Sequence, residues 1–211
     1  MLSLSIYSSS QGISIALHEK RELICFLQKK IKKNKIDDIF LLIQKIFKKN
    51  TSKIGFVYFS TGPGSYTALR SVKAIAQGIS VVLNAKIRTV NEFDIYLSCL
   101  NDKAENVIVF FKNYDKFFYQ FFRLEGKIYR SQEEFLNGDL KQVYENINKK
   151  KKKLNKLIVI SDFKENVSHL RGFKENEIFI FKTSAKDIVS TILSGHGKVS
   201  QEISYHHTYY E

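Results

Sequence analysis

Few residues in this chain have types and spacing suited to chemistry, and the best placed are Gly62-Pro63-Gly64-Ser65. Glycine permits positive φ and close backbone approach, and proline fixes φ at about −65°. Pro63 is the only proline among 211 residues. A strand-like run at 54–59 precedes the tetrapeptide, and a helix-like run at 65–83 follows it. Together they specify a sharp, rigid strand-to-helix corner. Ser65 is placed to cap the helix by accepting a hydrogen bond from a backbone N–H inside it. Free N–H groups at such a corner favour an anion. A purely structural turn would use the same residues.

Other chemistry finds less support. Asp37 and Asp38 are adjacent at an expected helix start, where they suit the helix dipole. Asp94 falls in an expected helix. Asp162 ends an expected strand and is the best lone carboxylate, with capping or loop solvation as its ordinary use. The five histidines (His18, His169, His196, His206 and His207) include no i,i+4 pair, so no helical metal site is expected. No C-x-x-C, G-x-S-x-G or Walker A pattern occurs.

The elements that must position these residues can be read from hydrophobic period. Leu2, Leu4 and Ile6 alternate with Ser3, Ser5 and Tyr7, which predicts a half-buried strand. Ile13, Ile15 and Leu17 alternate again, and 21–29 reads as a third strand. A helix is expected at 36–49, a strand at 54–59, the long helix at 65–83, a strand at 86–90 and a helix at 92–100. The pattern then restarts, with strands at 107–111, 117–124 and 127–130, a helix at 140–148, a strand at 157–161 and a helix at 184–193. Lys149 to Lys153 reads as a solvated loop. The order β-β-β-α-β-α thus appears twice, which predicts an α/β fold of two like subdomains, 1–102 and 103–211; each is the ribonuclease H-like unit, and the pair resembles the actin-like (ASKHA) superfamily. In that superfamily the first hairpin carries an acidic residue for a nucleotide's phosphates and metal. Here Tyr7-Ser8-Ser9-Ser10-Gln11-Gly12 has none, although phosphoryl transfer needs carboxylates to hold Mg²⁺.

Lys and Arg total 34 against 21 Asp and Glu, a net charge of +13. The lysines are dispersed among abundant Asn, Ile, Phe and Tyr, so compositional drift is the favoured cause. The surface would still attract RNA weakly and without sequence preference. No apolar run of about 18 residues occurs, so no membrane span is expected. The N-terminal residues lack a signal-peptide pattern. Cys25 and Cys99 are expected to be buried reduced thiols of a cytoplasmic protein.

Two helices are apolar too far round. In 65–83, Leu69, Val72, Ala76, Ile79 and Leu83 share one face, which Ala68, Ala74, Ile75, Gly78 and Val82 widen. Arg70, Lys73, Gln77 and Asn84 leave only a narrow polar stripe. The earlier helix contains Phe40-Leu41-Leu42-Ile43, a full apolar turn. Core burial accounts for part of this, and the remainder predicts a helical protein interface through Phe40, Ile43, Phe47, Arg70, Lys73, Ile75 and Gln77.

Gly62-Pro63-Gly64-Ser65-Tyr66-Thr67-Ala68-Leu69-Arg70 resembles the G-P-G-S-[FY]-T-G-L-R signature of the bacterial TsaB (YeaZ) family, with Ala68 where the family usually has Gly. The segment 86–93, K-I-R-T-V-N-E-F, and the tyrosine-bearing 202–210 also resemble the family. Ile6-Tyr7-Ser8-Ser9 departs from its I-D-T-[AS] pattern, and Lys112-Asn113-Tyr114 from its D-A-R segment. The resemblance implies a non-catalytic scaffold in tRNA N6-threonylcarbamoyladenosine formation. It implies pairing through the N-terminal helices with TsaD, the catalytic actin-like paralogue, which would hold ATP and metal. A TsaE-like ATPase and tRNA would join the assembly, and a homodimer could form when the chain is alone. Two alternatives remain: an active actin-like ATP-dependent kinase or transferase with 62–65 as a phosphate loop, and a stand-alone basic RNA-binding module.

Overall fold

The computed structural model describes residues 1–9, 12–30, 35–50, 54–101, 104–113, 116–154, 156–170 and 172–196. His206, His207 and the tyrosine-bearing 202–210 lie outside the described residues. The chain packs as two compact units, one of Met1–Ser98 with Thr183–Glu211 and another of Cys99–Lys182. Among the described residues no helix is long and apolar enough to cross a membrane.

The first unit holds a sheet ordered β3-β2-β1-β4-β5, from β1 (Leu2–Ser8), β2 (Gly12–Glu19), β3 (Glu22–Lys30), β4 (Ile54–Ser60) and β5 (Lys86–Val90). The first three strands form an antiparallel meander, and β4 and β5 extend the sheet in parallel with β1. Helices α1 (Lys35–Asn50) and α2 (Tyr66–Leu83) cover one face. There Leu4, Ile6, Ile15 and Leu17 pack with Ile39, Ile46, Val72 and Ala76.

The other face corrects the half-buried reading of β1. Ser3, Ser5 and Tyr7 are buried too, because a helix from the far end of the chain lies over them. This is α5 (Ala185–Thr191), whose Ile188 and Val189 pack with Tyr7, Ala16, Tyr58 and Val90. Ile95 of α3 (Glu92–Ser98) joins the same cluster. Sequence order put this helix in the second repeat, whereas it packs on the first sheet.

The second unit repeats the topology. Strands β6 (Asn106–Asn113), β7 (Lys116–Glu125) and β8 (Ile128–Ser131) form a meander, and β10 (Ile158–Ser161) and β11 (Ile178–Ile180) run parallel to β6. A short β9 (Leu136–Gly138) pairs with β7. The order β11-β10-β6-β7-β8 matches the first sheet position for position. Helix α4 (Leu140–Lys153) packs Val143 and Ile147 into this unit's core. Its start is a capping box between Asp139 and Gln142, and its last turn contains Lys150 to Lys153. The lysine run is therefore helix rather than loop: cations are favoured at the negative end of a helix. Cys25 and Cys99 are reduced thiols but only half-buried.

Candidate functional site

The corner after β4 forms as its sequence requires. Gly62 has φ 95°, a region that side chains rarely adopt, and the Gly62–Pro63 peptide is cis. Two of the corner's N–H groups are already bonded within the unit. Thr61 N donates to Val90 O at 2.9 Å, and Glu92 N donates to Gly62 O at 2.7 Å. Gly62 N donates to Ser60 Oγ at 3.2 Å, and Pro63 has no N–H. The Thr61 and Gly62 N–H groups are thus committed to β5 and to Ser60, and the Gly62 carbonyl to α3. Ser65 sits at the N-cap with extended backbone but makes no side-chain cap bond, contrary to the sequence expectation. It contributes its carbonyl, which accepts from Leu69 N at 2.9 Å.

Behind the corner lies a buried polar cluster centred on Glu92, which is 6% exposed. The Tyr7 hydroxyl donates to Glu92 Oε1. Ser60 Oγ donates to Oε2 at 2.7 Å. Thr183 Oγ1 lies 2.7 Å from the Tyr7 hydroxyl. Burial, and then the Glu92 carboxylate, hold the Tyr7 phenol well above its ordinary pKa. Tyr7 therefore stays a protonated donor at any physiological pH. It stands where the related pattern has an acidic residue, and it closes on Glu92 instead of offering a carboxylate outward. Sequence reading passed over Glu92, because one carboxylate in a helical first turn has an ordinary dipole explanation. Only the pairing of Tyr7 with a distant acid could have marked it. Among the described residues no group of three His, Cys, Asp or Glu could hold a metal ion.

Asp162 is buried rather than solvated. It accepts from Asn166 Nδ2 at 2.7 Å and from Lys112 N at 3.3 Å. Burial pushes its pKa up to about 6 against these donors. His18 is buried and its pKa lowered by that burial, and His169 meets the edge of the Tyr144 ring.

The signature residues split by face. Leu69 points into the core beside Gly64. Arg70 points out, with its guanidinium 4.9 Å from the Tyr66 ring centroid and its Nη1 donating to the Tyr66 hydroxyl at 2.5 Å. Thr67 is exposed. On α1, Ile43 is buried and Phe47 half-buried against the core, while Phe40 and Leu41 are 55% and 50% exposed. On α2, Ile75 is half-buried and packed on the core. Lys73 is half-buried, and Ala74, Gln77 and Gly78 are exposed. Val81 and Val82, 82% and 81% exposed, end this outer stripe. No charged residue occurs from Ala74 to Ala85.

Two like-ordered sheets, each a meander extended by parallel strands, define a protein of the ribonuclease H-like, actin-like class. A protein with an actin-like ATPase fold from Bacteroides thetaiotaomicron shares this architecture (TM-score 0.54, 9% identity, 91% of this chain and 95% of that one). The particular likeness is to TsaB (YeaZ). The tRNA threonylcarbamoyladenosine biosynthesis protein TsaB of Buchnera aphidicola subsp. Acyrthosiphon pisum (strain APS) is 28% identical over 197 residues, 90% of this chain and 87% of that protein. YeaZ from Pseudomonas aeruginosa superposes with a TM-score of 0.70 at 14% identity, over 97% of this chain and 99% of that one. The family model described as TsaD, tRNA N6-adenosine threonylcarbamoyltransferase, matches residues 29–109. The resemblance first carried by 62–70 is thus borne out across most of the chain.

Proposed function

We propose that this chain acts in tRNA N6-threonylcarbamoyladenosine formation as a non-catalytic scaffold, docking a TsaD-type catalytic subunit with α1 and α2. The observation that carries this reading is the uncharged outer face of α2, Ala74 to Val82, ending in two valines left almost fully exposed. Such a surface is characteristic of an interface. Phe40 and Leu41 on α1 extend it, and α1 and α2 touch each other. Ile43, Phe47 and Ile75 serve from beneath, packing the helices onto the sheet. Gly62, Pro63, Gly64 and Ser65 form the corner that aims α2. Tyr66, Thr67, Arg70, Lys73 and Gln77 supply a polar border. Catalysis, ATP and metal belong to the partner, in keeping with the closed Tyr7–Glu92 cluster. A TsaE-like ATPase and tRNA join through the assembly, and a homodimer covers the same face when the partner is absent.

Co-purification with TsaD tests this. The unaltered chain is expected to elute as a stable complex. Val81→Glu with Val82→Glu should weaken it about 30-fold or more, the loss of one hot spot of roughly 2 kcal/mol. A chain that stays monomeric beside TsaD overturns the reading.

A further inference from the structure

One feature of the second unit plays no part in that interface. Lys149, Lys150 and Lys153 of α4, with the Asn146 amide, line a cavity of about 210 Å³. Its apolar wall is Phe121 with Leu136, and Glu133 is the one acid on it. The lysines are not equivalent. Lys150 Nζ lies 3.3 Å from Glu133 and 4.7 Å from the Phe121 ring centroid. Lys151 is bound to Glu177 at 2.8 and 2.9 Å and lies over the Phe173 ring. Lys149, Lys152 and Lys153 are exposed and make no ion pair among the described residues.

We propose that the C-terminal end of α4 is a docking surface for the phosphodiester backbone of RNA, with a phosphate seated between Lys149 and Lys153. These two are one turn apart on the same helix face, where like charges repel each other. An anion between them removes that repulsion. The helix dipole favours cations in this last turn, but it does not account for a cavity lined by three lysines. The Asn146 amide donates to the Tyr119 hydroxyl at 2.7 Å, so the cavity wall is held in place. A membrane surface is less well matched, because the exposed side of α4 carries lysines without the large apolar residues that insert between lipids. Backbone contact of this kind positions a nucleic acid without reading its sequence. The choice of RNA rests on the function proposed above, whereas the anion-binding surface stands on its own.

The test is fluorescence anisotropy of the full chain with a labelled, unmodified tRNA transcript between 50 and 200 mM salt. Lys149→Ala with Lys153→Ala is compared with Lys45→Ala and Lys48→Ala, an equal loss of exposed charge on α1. The first pair is expected to weaken binding about tenfold and to lower the salt slope by about 0.7 to 0.9, the value for one phosphate no longer neutralised. The control pair should stay within twofold. Equal losses in both pairs, or none in either, overturn the proposal. So does a first pair that keeps tRNA binding but no longer floats with phosphatidylglycerol vesicles or no longer captures an acidic protein. The same variant should still co-purify with TsaD, so failure of this surface is separable from failure of the scaffold.

Discussion

Asp162 is 2% exposed and accepts hydrogen bonds from three residues, yet its pKa stands near 6 against an ordinary 3.8. Burial outweighs its donors. A carboxyl whose folded pKa lies above its unfolded one stabilises the fold fully below about pH 4, and that contribution is lost as pH rises through about 6. Two pKa units correspond to at most about 3 kcal/mol. Asp162→Asn should therefore flatten the dependence of stability on pH between 4 and 8 and stabilise the chain above pH 7. Urea unfolding at pH 5 and pH 8 checks this. An unchanged slope would remove Asp162 as its source. The Tyr7–Glu92 pair is tested by removing a hydrogen bond rather than by pH. Tyr7→Phe deletes one of the two hydroxyl donors of a buried carboxylate, which should cost about 1–3 kcal/mol. A thermal melt that does not move would show that the hydroxyl contributes little. Neither environment was legible in the sequence. Asp162 reads as a capping or loop residue, because burial at the end of β10 leaves no mark in the local sequence, and the partners of Glu92, Tyr7 and Ser60, lie on distant strands.

At the scale of elements, period and punctuation carried far. The corner at 62–65, both meanders and the five α-helices among the described residues follow from apolar spacing and from Gly-Pro-Gly. β9 and β11 were missed, being three residues each, too short to establish a period. The lysine run reads as loop from its charge density, whereas the structure continues α4 through it to Lys153. Half-burial of β1 failed for a different reason: serines show a polar face but not whether a helix will cover it. For α2, the sequence shows too many apolar residues for one stripe, and the structure sorts them into a buried set, Leu69, Val72 and Ala76, and an outer set, Ala74, Gly78, Val81 and Val82. Charging the outer set should leave stability within about 0.5 kcal/mol, as for other surface changes, whereas Val72→Ala should destabilise by a kcal/mol or more. Chemical denaturation of both variants separates the two sets. An equal cost would show that the outer face already packs within the monomer.

At the scale of the whole molecule, the fold is actin-like, but Tyr7 of its first hairpin is turned onto Glu92, and Gly62 of its corner has both backbone groups bonded. Titration calorimetry with Mg-ATP is expected to give no heat from the isolated chain, and micromolar binding would favour an active kinase or transferase instead. The first unit also depends on its distant helix. Ile188, Val189 and Ile192 are all buried with it, and each such side chain contributes about 1.5–3 kcal/mol. A chain truncated after Lys182 should lose an amount comparable with the whole stability of a typical domain, and its cooperative melt should disappear.

The return of α5 to the first sheet bears on how the protein is made. Ribosomes release chains N-terminus first, and early domains generally fold as they emerge. Here Tyr7, Ala16 and Tyr58 leave the ribosome more than a hundred residues before Ile188 and Val189, which cover them. The unit synthesised first is therefore the one completed last. Until α5 arrives, its second sheet face stands open to chaperones and proteases.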